Sequence, residues 1–130
     1  MLTAMAVRVV DASAPAAVVF VEAEADAVVE RLGDARLVAP ALLDFELANV
    51  CLTKMRRHPE LREPLLASFA MRARLALEIV AIDPDEVLGM AESTGLTAYD
   101  ASYLWLSQQL GAELVTLDRQ LARAAAILHR

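Results

Sequence analysis

The sequence predicts an α/β fold: a three-layer α/β/α sandwich around a central parallel sheet of four to five strands. Three observations predict it. Short apolar runs such as VRVV and RLVA recur along the chain, separated by longer stretches with helical spacing. Glycines and prolines fall at or close to the joints between the two kinds of segment. A chain of 130 residues, 58% hydrophobic and 23% charged, suits one globular domain over residues 1–130 with helices packed on a buried sheet.

The elements follow in order. Val7 to Val10 is β-branched and apolar, stops at Asp11, and reads as a buried strand. Pro15 can open a helix, and two helical stretches follow over 15–22 and 24–32, the second stopped by Gly33. Arg36 to Ala39 is a second strand, ended by Pro40. A long helix from Ala41 to Arg57 carries Lys54, Arg56 and Arg57 in its last turn, with Pro59 just beyond.

Leu61, Leu65, Phe69 and Arg72 keep a helical spacing over 61–77, and Pro64 is tolerable in the first turn. Glu78 to Ile82 reads as a third strand, and Pro84 opens a short helix to Ser93 that Gly95 breaks. Thr97 caps a helix to Leu110, which Gly111 ends. Glu113 to Leu117 is the last strand, and Arg119 to His129 the last helix. Right-handed crossovers would put every strand's C-terminal end on one edge, where ligands of open α/β sheets gather.

Composition narrows the function. The single cysteine, Cys51, excludes an internal disulfide and a cysteine zinc cage and suits a reducing cytoplasm. MLTAMAVRVV lacks the basic start and long apolar core of a signal peptide, and the run Ala14 to Val21 is too short to span a bilayer. A cytoplasmic protein without a membrane partner is expected. The net charge of −6 argues on its face against nucleic acid, yet arginines can line one groove while acids crowd its floor.

Four acids stand where the topology would make them converge. Asp11 follows the first strand, and Asp118 follows the last in LVTLD. Glu46 lies in the second turn of its helix in PALLDFELANV, and Asp100 in the first turn of its helix in TAYDASYLWL. Two such charges about 4 Å apart repel by roughly 4 kcal/mol at an effective dielectric near 20, so a shared cation or a function must justify the gathering. Each acid alone has a plainer role: Asp100 favoured by the helix dipole behind Thr97, Asp118 as an N-cap, Asp11 bonded to the turn backbone. Glu46 is harder to explain that way. Leu42, Leu43, Leu47 and Val50 surround it, and only Asn49 and Thr53 continue a polar line along its face.

The segments VVDASA, APALLDFELANV and LTAYDASYLWLSQQLGAELVTLDRQLARAA together resemble the PIN-domain ribonucleases, specifically the toxin half of VapBC toxin–antitoxin pairs. The resemblance covers nearly the whole chain except the middle, 58–95. It makes Asp11, Glu46, Asp100 and Asp118 the acidic metal-binding quartet. Thr116, in T-x-D, matches a position that helps hold the site, and Asn49 and Ser13 match polar positions beside the acids. None of the four acids is substituted.

An all-carboxylate site suits hard cations, hence Mg²⁺ or Mn²⁺ rather than zinc. His58 and His129 lie outside the motifs and are not expected to ligate. The resemblance implies an endoribonuclease that hydrolyses specific structured RNA, tRNA or rRNA, and inhibits translation until a small VapB-type antitoxin neutralises it. A homodimer through apolar helices is also expected. Candidate contacts to the RNA backbone are Arg119, Arg57 and Lys54, then Arg56, Arg72, Arg74 and Arg123. A helix C-terminus or an ordinary solvated face would account for the same charges. Tyr99, Tyr103 and Trp105 could stack on bases, but in so apolar a helix they more often serve a core or dimer interface.

Two rival readings differ in class. A phosphoacceptor receiver domain shares the length and element order, but needs an acidic pair after the first strand and a lysine after the last. Here Asp11 stands alone and the only lysine is Lys54. A catalytically silent RNA- or protein-binding PIN module would usually lack one of the acids, and none is missing.

Overall fold

The computed structural model describes residues 5–128, and its strands form one parallel sheet of four in the order β3-β2-β1-β4. The elements run β1 (Val7–Val10), α1 (Ser13–Val19), α2 (Ala25–Leu32), β2 (Arg36–Ala39), α3 (Leu42–Arg57) and α4 (Arg62–Ala70). They continue with β3 (Glu78–Ile79), α5 (Pro84–Thr94), α6 (Ala98–Leu110), β4 (Glu113–Val115) and α7 (Arg119–Leu128). Short 3-10 turns at Pro59–Leu61 and Met71–Leu75 flank α4.

The strand order dictates the layers. Steps from β1 to β2 and from β2 to β3 run the same way across the sheet, so right-handed crossovers put α1–α4 on one face. The return from β3 to β4 crosses the sheet the other way and puts α5 and α6 on the opposite face. The packing agrees: α1 lies against α2 and α3, and α3 against α4, while α5 lies against α6 and α6 against β1 and β4. Central strands covered on both faces need apolar residues on both, which is why Val9 and Val10 are both fully buried. The core continues through Val38, Leu43, Leu104, Val115 and Leu121, and Ala16, Val19 and Leu47 form a smaller cluster under α1 and α3.

Several boundaries differ from the sequence expectation, among them the end of the first helix, which falls at Val19 and not at 22. The third strand is Glu78–Ile79 rather than 78–82, because its partner β2 ends at Pro40, which has no N–H to extend the ladder. The helix expected over 61–77 stops at Ala70 and tightens into a 3-10 turn that closes at left-handed Ala76; no side chain of α4 is fully buried to hold it longer. The first helix begins two residues before Pro15, still within the first turn where a missing N–H is harmless. The ladder of the last strand ends at Val115, two residues early. His129, the expected end of the last helix, lies outside the described residues.

One cap escaped the sequence reading. Asp83 accepts from the backbone N–H groups of Asp85 (3.0 Å) and Glu86 (3.4 Å), with Pro84 at the first helical position, and so fixes the start of α5. Asp83→Ala is expected to cost about 1 kcal/mol, lowering Tm by about 3–5 °C in thermal unfolding. An unchanged melting curve would remove the cap from the list of stabilising contacts.

Candidate active site

Strand register builds the site. Val10 of β1 pairs with Val115 of β4, so the residues that follow them, Asp11 and Thr116, emerge side by side at the C-terminal edge of the sheet. The Thr116 hydroxyl donates to Asp11 Oδ2 at 2.7 Å. Ser13, at the start of α1, gives Asp11 Oδ1 two more bonds, from its hydroxyl at 2.6 Å and its backbone N–H at 3.2 Å. The same two hydroxyls tie down the opposite loop: Ser13 Oγ accepts from Leu117 N–H at 2.8 Å, and Thr116 Oγ1 from Asp118 N–H at 3.0 Å. Both polar positions flagged beside the acids in D-A-S and T-x-D thus touch Asp11 directly.

The other acids arrive from helices and from the loop after β4. Asp118 is exposed, and its Oδ1 caps α7 by accepting from Leu121 N–H at 2.9 Å. Asp100 stands in the first turn of α6, where Thr97 Oγ1 accepts its backbone N–H at 3.1 Å. Glu46, in α3, receives a hydrogen bond on Oε1 from the hydroxyl of Tyr103, which is itself only 1% exposed in α6. The plainer roles of Asp11, Asp100 and Asp118 are therefore present too, and each occupies only part of its residue.

Electrostatics couple the four acids in pairs. Burial pushes the Asp11 carboxyl above its ordinary value, offset by its bonds from Ser13 and Thr116 and reinforced by Asp118. Glu46 is raised first by burial, relieved by the Tyr103 hydroxyl, and raised again by Asp100 and Asp11. Asp100 is raised by burial and then by Asp118, with Thr97 opposing. The Tyr103 phenol, buried and next to Glu46, is held protonated far beyond the usual range. Among the described residues none of the four acids enters an ion pair. Nor, among those residues, do three or more His, Cys, Asp or Glu side chains come close enough together to hold a metal ion as they stand. The acids repel one another, and among the described residues no basic side chain pairs with them.

The remaining candidates divide. Asn49 is exposed and lines, with Ala12, Leu42, Phe45, Glu46, Val50 and Tyr99, an open groove of about 450 Å³ leading from Glu46. Arg119 and Arg57 are exposed. Lys54 is engaged elsewhere, 3.3 Å from Glu22 and 5.4 Å from the Phe20 ring, so its placement has a structural explanation. Arg72 stacks 3.9 Å over Phe69. Of the aromatic residues in α6, Tyr99 is exposed, Tyr103 is buried and unable to stack on a base, and Trp105 is half-buried. Two contacts had no sequence signal: the Tyr103 bond to Glu46, and Arg31 of α2 reaching the Thr116 carbonyl at 3.5 Å.

A parallel α/β sheet with acids gathered at its C-terminal edge defines a class, and the family model described as PIN domain matches residues 8–127: the chain belongs to the PIN-domain family. Within it the likeness is to the VapC type. The chain is 32% identical over 124 residues to Ribonuclease VapC3 of Pyrobaculum aerophilum, covering 88% of this chain and 91% of that protein. A shorter stretch of 37 residues is 54% identical to Exonuclease VapC9 of the same organism, covering 28% of each. The crystal structure of PAE2754 from Pyrobaculum aerophilum superposes with a TM-score of 0.72 at 26% identity, covering 96% of this chain and 95% of that one. No helix among the described residues is long and apolar enough to cross a membrane.

Proposed function

We propose that the chain is a Mg²⁺- or Mn²⁺-dependent endoribonuclease, the toxin half of a type II toxin–antitoxin pair, acting in the cytoplasm on structured RNA such as tRNA or rRNA. The observation that carries this reading is the mutual electrostatic coupling of four acids, none of which, among the described residues, is paired with a basic side chain. The family and the name of Ribonuclease VapC3 support it.

The donors fit the implied cation. They are hard carboxylate oxygens with no thiolate or imidazole among them, a donor chemistry that suits an ion which keeps several waters and takes substrate phosphate oxygens as further ligands. Asp11, Glu46, Asp100 and Asp118 would hold it. A bound divalent ion would supply positive charge against the phosphodiester and a lowered pKa for water.

The chain's own residues do the rest. Asp11 is the fixed point, because three hydrogen bonds from Ser13 and Thr116 lock both of its oxygens in place. Asp118 and Asp100 approach from the loop after β4 and from α6, leaving the groove beside Glu46 open to a strand of RNA. Hydrolysis by water does not use the 2′-hydroxyl, so a preference for RNA would come from groove contacts. Arg119, beside Asp118, and Arg57 are candidates to hold the backbone. A small VapB-type antitoxin placing a basic residue among the acids would silence the site by charge pairing. A homodimer through the apolar helices belongs to the same reading.

Purified protein incubated with total tRNA and rRNA should give discrete fragments with Mg²⁺ or Mn²⁺ and none with chelator, while Asp100→Asn gives none in either. Cleavage that persists in chelator, or in Asp100→Asn at the wild-type rate, would end the metal-nuclease reading.

A further inference from the structure

We propose that Tyr103 is a positioning residue that holds Glu46 in register with the other three acids. This rests on the metal-binding reading of the quartet. Tyr103 lies one turn beyond Asp100 on the same side of α6, and its ring is packed in the core at 1% exposure. Phenylalanine would fill the same volume. The hydroxyl instead crosses from α6 to α3 and donates to Glu46 Oε1.

The bond joins the two helices that supply Asp100 and Glu46, so the separation of these two acids is tied to a half-buried hydrogen bond and not left to two free side chains. Glutamate has three rotatable bonds, and Asp100 and Asp11 both repel its carboxylate, so an unheld Glu46 would turn outward into the groove. With Oε1 fixed, Oε2 is left as the oxygen that can face a cation. Partners of this kind behind a metal ligand typically change metal affinity by about 10–100-fold.

Mn²⁺ binding followed by electron paramagnetic resonance tests this on wild type, Tyr103→Phe, Glu46→Gln and the double variant. Tyr103→Phe should bind Mn²⁺ about tenfold more weakly, and should have no further effect once Glu46 is glutamine. Wild-type affinity in Tyr103→Phe, or an equal loss in both backgrounds, overturns the proposal by reducing Tyr103 to a packing residue. If wild type binds no Mn²⁺, the metal reading fails first and this inference falls with it.

A second measurement needs no variant. The chain has two tyrosines, so carbon-13 labelling at the phenol carbon gives two signals. The Tyr103 signal should move on Mg²⁺ addition with the same midpoint as Mg²⁺ competition against Mn²⁺. A Tyr103 signal that stays fixed while the metal binds overturns the proposal.

Discussion

Asp11→Asn is expected to abolish RNA cleavage and stabilise the metal-free protein at the same time. Asp11 is buried and accepts three hydrogen bonds, yet burial still pushes its carboxyl upward, so the fold carries an ion it would rather hold neutral. Asparagine keeps the shape and one acceptor oxygen while removing the charge. Cleavage should fall by about 10³-fold or more, the size of effect expected when one member of a concerted catalytic set is lost. Tm of the metal-free protein should rise by about 3–5 °C, for a gain of about 1 kcal/mol.

The sign of the pH dependence follows from the same shifts. Asp11, Glu46 and Asp100 are all raised, and burial is the first cause in each. Each binds its proton more tightly folded than unfolded. Stability from this source is complete below the ordinary carboxylate range and is lost as pH rises through the raised folded values. Metal-free wild type should therefore melt higher at about pH 5 than at about pH 8, and the slope should flatten in Asp11→Asn. A variant that melts below wild type at neutral pH, or that keeps cleaving within about tenfold of it, contradicts the assignment of Asp11.

How much of this could be seen in the sequence depends on the range of the interaction. VRVV before Asp11 and LVTL before Asp118 announce strands that end in acids, because burial on both faces imposes a largely apolar, β-branched run. Ser13 and Thr116 were also legible, since each is within two residues of an acid and strand pairing brings those neighbours together. The length of β3 was not legible from its own residues: EIVAI is apolar enough for five, and the limit comes from Pro40, just past the partner strand β2. Tyr103 looked like any core or stacking aromatic, because its partner lies 57 residues away, on a helix of the opposite layer. The Lys54 pairing with Glu22 was hidden for the same reason, since the two lie 32 residues apart, in different parts of the fold. Pattern reading finds what one element does by itself. What two distant elements do to each other has to come from the fold.

Divalent metal should produce the largest stability change of all, because it removes a repulsion that the fold cannot relieve from within. At about 100 times its dissociation constant, a bound Mg²⁺ or Mn²⁺ would stabilise the folded chain by about 2.7 kcal/mol. At about 3–5 °C for each kcal/mol, that is a rise in Tm of about 8–13 °C at neutral pH. General screening is the competing explanation, since a chain of net charge −6 is also relieved by salt. The two separate cleanly. NaCl at matched ionic strength should recover only a small part of the rise, and Asp100→Asn should lose most of it while responding to NaCl as wild type does. Protons compete with the metal for the same carboxylates, so the rise should shrink as pH falls into the raised titration range of Asp11, Glu46 and Asp100. Equal melting shifts from MgCl₂ and matched NaCl would mean that the acids share a space without sharing an ion, and the enzyme would need another explanation for keeping them together.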